Sequence, residues 1–139
     1  MMRFAVPGAR LTRGFLAAAL LVAGATAGVA QDAKPDPALQ AKGKAVFDHW
    51  CAACHGPGDG GKDFLTGMLV PRLPGTNALY AKYKGEVPPL LEERTDLTPD
   101  LIEYFVRHGV SIMPIFRKTE VGDEDLTALS AYLTRNNTD

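Results

Sequence analysis

Among its 139 residues the chain has only two cysteines and three histidines, and no surplus of positive charge. Two cysteines are too few for a disulfide framework or a four-thiolate zinc site. With His49 and His108 as the only histidines outside position 55, no second histidine pair at short spacing is present to complete a zinc site either. The formal net charge is −1, which argues against nucleic acid as a partner. No stretch alternates apolar and polar residues as a half-buried strand would, so the fold class is mainly α. There is no internal repeat and no low-complexity tract. At this length one domain is expected rather than two, with little room for an elaborate active site.

The first thirty residues do not read as domain sequence. Arg3, Arg10 and Arg13 precede an uncharged apolar stretch from Phe15 to Val29, the layout of a secretory signal. Gly28 and Ala30 suit the −3 and −1 positions of a cleavage site, so residues 1–30 are assigned to a signal peptide and 31–139 to the mature domain; Ala27 is a second place to cut. The other reading is an uncleaved anchor, because a bilayer span needs roughly 17 to 25 apolar residues and the segment from Gly14 to Ala30 is just long enough. Cleavage is favoured by the Ala- and Gly-rich composition and the small residues at its end, and leaves no membrane span. Removing residues 1–30 leaves 12 basic against 16 acidic side chains, a net charge of −4.

In the mature part, Leu39, Gly43, Phe47 and Trp50 recur at the period of one helix face. Asp36 supplies an N-cap and Pro37 a first helical residue, so a helix delivers the chain into Cys51. From Gly56 to Leu97, twelve glycines and prolines exclude long regular elements; a short helix is expected over Asn77 to Lys84. Thr98, Pro99 and Asp100 open another helix that Gly109 stops. Val110 to Phe116, interrupted by Pro114, reads as a loop. Asp123 to Leu133 forms the last helix, with acidic residues in its first turn and Leu126, Leu129, Tyr132 and Leu133 along its apolar side. So long an irregular middle in so small a domain is usually functional, and a large cofactor would explain it.

Both cysteines fall within Cys51-Ala52-Ala53-Cys54-His55. This spacing is that of a covalent c-type haem attachment site, in which the two thiols add to the vinyl groups and the adjacent histidine reaches the iron. Cysteines about one helical turn apart grip two edges of one macrocycle, and the next residue points over its face. A redox-active disulfide of the thioredoxin kind normally opens a helix in a strand-helix-strand setting, which is missing here, and does not account for His55. Attachment of haem c outside the cytoplasm agrees with the signal. The sixth ligand decides between electron transfer and chemistry at an open iron. The candidates are Met68, Met113, His49 and His108. Met113 is favoured: it lies in a loop after a well-capped helix, precedes Pro114, and is far enough along the chain to reach the opposite haem face. His108, with Arg107, complements the C-terminal dipole of its helix instead.

These motifs resemble class I c-type cytochromes over roughly residues 37 to 135. The resemblance rests on GKAVF with Gly43 and Phe47, CAACH at 51–55, GVSIMPIF at 109–116 and LTALSAYL near the end. It implies a small fold in which the first and last helices pack, Gly43 and Phe47 against Leu129 and Tyr132, around one covalent haem. It also implies that a proline carbonyl accepts the second N–H of the proximal histidine; Pro71 is assigned this role, with Pro74 as the other candidate in GMLVPRLPG. The segments LIEYFVRHGVSIMPIF and GDEDLTALSAYL are similar to the cytochrome subunits of periplasmic dehydrogenases such as p-cresol methylhydroxylase. The function implied is periplasmic electron transfer without bond chemistry on a substrate. The donor would be a flavin- or quinone-dependent dehydrogenase, the acceptor another cytochrome or an oxidase. A haem enzyme or gas sensor with an open distal side is the alternative.

Overall fold

The computed structural model describes residues 36–138; the signal-peptide assignment lies outside them. Five α-helices and one short 3₁₀ turn follow in order: α1 (Pro37–Trp50), α2 (Ala52–His55), α3 (Pro74–Tyr83), the 3₁₀ turn Leu91–Glu93, α4 (Pro99–His108) and α5 (Asp123–Leu133). Among the described residues there are no strands, only the isolated bridges Lys62 to Leu69 and Val110 to Met113.

The best-marked helices start where side-chain chemistry places them. Asp36 Oδ1 accepts from the Ala38 N–H at 3.0 Å, and Pro37 needs no partner at the first position. Thr98 Oγ1 accepts from the Leu101 N–H at 3.2 Å, and α4 ends at Gly109, whose φ of 64° few other residues adopt cheaply. α5 has no side-chain cap; instead Asp123, Glu124 and Asp125 lie at the positive end of its dipole.

The core lies where α1 crosses α5. Phe47, Leu129 and Val121 are each 1% exposed, and Ile102 and Val106 bring α4 onto the same cluster. The rings of Phe47 and Tyr132 meet at 6.0 Å, tilted by 52°. The helices approach so closely that a Cβ on Gly43 would collide with the Ala128 carbonyl and come within 2.7 Å of Tyr132 Cβ. The packing implied by the family resemblance is therefore present. At its rim Lys42 pairs with Asp125 at 3.0 Å, an exposed contact that water and salt screen, so it adds little.

Between α2 and α4 the chain follows side chains rather than long ladders. Its main helix occupies Pro74–Tyr83, not Asn77–Lys84. Pro74 supplies a ready-made first residue, and Lys84 leaves the helix with a left-handed φ of 51°. Arg94, 3% exposed, forks onto both carboxylate oxygens of Asp96 at 2.6 Å and lies 4.8 Å from the Tyr83 ring centre. Beyond α5, Arg135 and Asn136 donate to the Glu92 carbonyl and Asn137 to that of Leu97, while the Tyr132 hydroxyl donates to the Glu92 carboxylate. The end of the chain thus straps the irregular middle to the helical core.

Candidate haem-binding site

Cys51 is both the C-cap of α1 and the residue before α2, its own N–H bonded to the Phe47 carbonyl. The N–H groups of Cys54 and His55 then return to the Cys51 carbonyl at 3.0 and 2.8 Å. The two thiols therefore sit on one helical turn, with His55 immediately after. Cys51 packs half-buried against the core and Cys54 is exposed; neither is in a disulfide. Burial, with Cys54 close by, pushes the Cys51 thiol up to about 11. A redox-active CxxC centre requires the opposite, a thiol made acidic by its surroundings.

The His55 ring lies against Gly75, the second residue of α3: a Cβ there would stand 2.6 to 2.8 Å from Cε1, Nδ1 and Nε2. Burial lowers the imidazole pKa, so the neutral, metal-binding form is favoured. Nδ1 is buried without a hydrogen-bond partner. The bond expected from His55 to the Pro71 carbonyl is thus not formed here; Pro71 is exposed and lines a shallow cleft with Gly56, Arg72 and Thr76. What holds α3 against the end of the motif is the Thr76 hydroxyl, which donates to the Gly56 carbonyl at 3.2 Å.

Met113 lies half-buried in the loop after α4. Its N–H and carbonyl are both bonded to Val110, at 2.9 and 3.2 Å, closing a tight turn through Ser111 at φ 54°. Gly109 admits this turn, since a Cβ there would lie 2.5 Å from the Met113 carbonyl oxygen. At the far end the Phe116 N–H bonds the Val106 carbonyl at 2.8 Å, and its ring meets Trp50, the neighbour of Cys51, edge-on at 5.9 Å. The exit of the Met113 loop is thereby fixed beside the attachment motif. Arg107 contributes as well: Nη1 donates to the carbonyls of Phe116 and Val121 at 3.1 and 2.7 Å, and Nη2 to Asp123 at 3.1 Å. Sequence reasoning read Arg107 as complementing a helix dipole and missed this clamp, whose partners are set by tertiary structure alone.

The other candidate ligands are placed differently. Met68 is 69% exposed in the hairpin-like turn from Lys62 to Leu69. His108 Nδ1 is 2.8 Å from the Tyr104 carbonyl, and its ring stacks on Tyr104. His49 stands edge-on to Trp50 on the outside of α1. No described contact joins Met113 to His55.

These residues fit a haem c. Two thiols one turn apart can form the thioethers, a half-buried neutral imidazole with an unpartnered nitrogen can face the iron, and a ring-sized apolar group has surface to cover. Ile112 and Ile115 stand 73% and 54% exposed on either side of Met113. A cation held by side chains alone has no comparable place: among the described residues no three His, Cys, Asp or Glu side chains cluster.

Comparison with known families decides between these chemistries. The family model for cytochrome c oxidase, cbb3-type, subunit III matches residues 38–133, more than two-thirds of the chain. The chain belongs to this family. No curated protein matches it. As a cytochrome c domain it is a haem-based electron-transfer protein; the family implies covalent haem c, and Cys51, Cys54 and His55 fit its CxxCH motif. The matched range runs from the second residue of α1 to the last residue of α5. Among the described residues of this cytochrome no helix is long and apolar enough to cross a membrane.

Proposed function

We propose that this cytochrome is a periplasmic electron carrier with a single haem ligated by His55 and Met113. It takes electrons one at a time from a flavin- or quinone-dependent dehydrogenase, diffusing or as its cytochrome subunit, and passes them to another cytochrome or an oxidase. It performs no bond chemistry of its own.

The observation that carries this reading is the setting of Met113. Of the four candidate sixth ligands it alone combines partial burial with a backbone held at both of its polar atoms and a loop exit packed beside Cys51. Met68 is largely exposed, and the two histidines are engaged with Tyr104 and Trp50. The haem supplies a metal that changes charge by one electron. The protein supplies two covalent anchors, a neutral imidazole, a soft thioether that favours the ferrous state, and a rigid frame that keeps the reorganisation on electron transfer small. The arginines of the N-terminal segment and the apolar run after them support export, and the mature net charge of −4 suits a partner with a basic face.

Absorption spectroscopy of the mature holoprotein tests the ligation. Met113→Ala abolishes the weak far-red ferric band of iron–methionine bonding, opens the iron to carbon monoxide and lowers the potential, while Met68→Ala changes none of these. Loss of the band in the Met68 variant alone refutes the assignment. A wild-type protein that binds carbon monoxide freely when reduced establishes instead an open distal side.

A further inference from the structure

We infer that Arg107 is a positioning residue for the Met113 ligand, holding its loop closed so that the thioether stays in place on the iron; the inference rests on the His55/Met113 reading above. A thioether carries no charge to hold it to a metal, so its occupancy depends on the effective concentration that the tethering backbone maintains. The near end of the loop is held within itself, by the Val110 to Met113 turn and the close approach at Gly109. The far end rests its Phe116 ring on Trp50 and runs into a turn in which the Glu120 and Val121 N–H groups bond the Arg117 carbonyl. It is fixed to α4 by one backbone bond, from Phe116 N–H to Val106, and by the Arg107 guanidinium, 14% exposed, whose single Nη1 bridges the carbonyls of Phe116 and Val121. Nη2 ties the same side chain to Asp123 at the head of α5, where Lys118 also binds. One planar cation therefore joins α4, the segment leaving Met113 and α5, and its removal leaves two part-buried carbonyls without a donor. A lysine keeps the charge but not the planar fork.

The test uses haem-loaded mature protein with Arg107→Gln, Arg107→Lys, Met113→Ala, and Phe47→Leu as a destabilised control outside the loop and its hydrogen bonds. The readouts are the far-red ferric band, affinity of the ferric protein for imidazole, and hydrogen exchange at the Met113 and Phe116 amides. Losing bonds to two carbonyls should weaken the band in Arg107→Gln and tighten imidazole binding about tenfold or more, because each net hydrogen bond shifts the open-to-closed balance by several-fold. Arg107→Lys falls between, the two amides exchange faster, and Phe47→Leu loses stability while keeping the band and excluding imidazole. Wild-type band and imidazole affinity in Arg107→Gln overturn the inference with the ligation reading intact. An equal change in Phe47→Leu overturns it as a mere stability effect. A band retained in Met113→Ala removes the ligation reading itself. If Arg107→Gln yields no folded holoprotein, an unchanged band and imidazole affinity in Arg107→Lys overturn the inference.

Discussion

Replacing Gly43 by alanine sets two effects of opposite sign against each other. Inside a helix, alanine is favoured over glycine by about 1 kcal/mol, so α1 taken alone would gain. In the folded protein the new methyl would run into the Ala128 carbonyl oxygen and come within 2.6 Å of its carbon and 2.7 Å of Tyr132 Cβ. Two of those atoms are backbone and cannot rotate aside, so α1 and α5 must separate, loosening Phe47, Leu129 and Tyr132 together. Overpacking a tight core costs about 1 to 3 kcal/mol, and a backbone collision belongs at the upper end, leaving a net loss of about 2 kcal/mol. For a domain of this size that lowers the melting temperature by about 10 °C. Urea and thermal unfolding of the holoprotein, followed by far-ultraviolet circular dichroism, measure it. Ala45→Gly, at an exposed site on the same helix, serves as the reference and should lose about 1 kcal/mol from propensity alone. A Gly43→Ala protein as stable as wild type, or more so, refutes the close approach of the two helices.

Two further outcomes follow from the same core. Phe47→Ala, at a site 1% exposed, should cost about 3 kcal/mol in urea unfolding, and a change within error rejects its place in the packing. Tyr132 has its hydroxyl pushed up to about 12 from 10.0 by burial and by its bond to Glu92. The protonated form is thus favoured in the folded state, and the stability it contributes is complete below pH 10 and declines as pH rises toward 12. Unfolding midpoints across that range should show a decline that Tyr132→Phe lacks; an identical decline in both proteins locates the alkaline sensitivity elsewhere.

Where a helix is announced by its own side chains, its position could be read from the sequence. Asp36 and Pro37 at the head of α1, Thr98 and Pro99 at the head of α4, and Gly109 at its end carry local signals, and α1 and α4 lie where these put them; α5 lies where its acidic first turn and apolar side put it. α3 has no capping side chain, only Leu73 before Pro74, so the spacing of Leu79 and Tyr83 placed it three residues late. The attachment motif was evident because its chemistry is confined to five consecutive residues. The clamp formed by Arg107 was not, because its acceptors are carbonyls, which every residue has, and only the fold selects those of Phe116 and Val121. Burial of Arg94 was equally hidden: a charged residue among prolines and glutamates gives no local sign that Tyr83 and Asp96 will enclose it. His55 illustrates the remaining difficulty: the family likeness offered its second N–H the Pro71 carbonyl, with Pro74 as the other candidate, whereas its packing against Gly75 had no sign in the sequence.

The meeting of α1 with α5 also governs how the chain can be made. It brings residues 43 and 128 together, nearly the two ends of the domain, so although α5 has α4 close by in sequence, everything between α1 and α5 must be closed into one large loop before α1 has its main partner. The entropy of closing that loop grows only slowly with its length, but it is spent before the reward of burying Phe47 and Leu129 arrives, which makes such long-range pairing slow. A chain delivered from its N-terminus therefore carries the sticky face of its first helix uncovered until the last segment has arrived. Without α5 the apolar face of α1 loses its main cover, so a chain cut before Asp123 should lack a folded core, and far-ultraviolet circular dichroism of the truncated protein checks this.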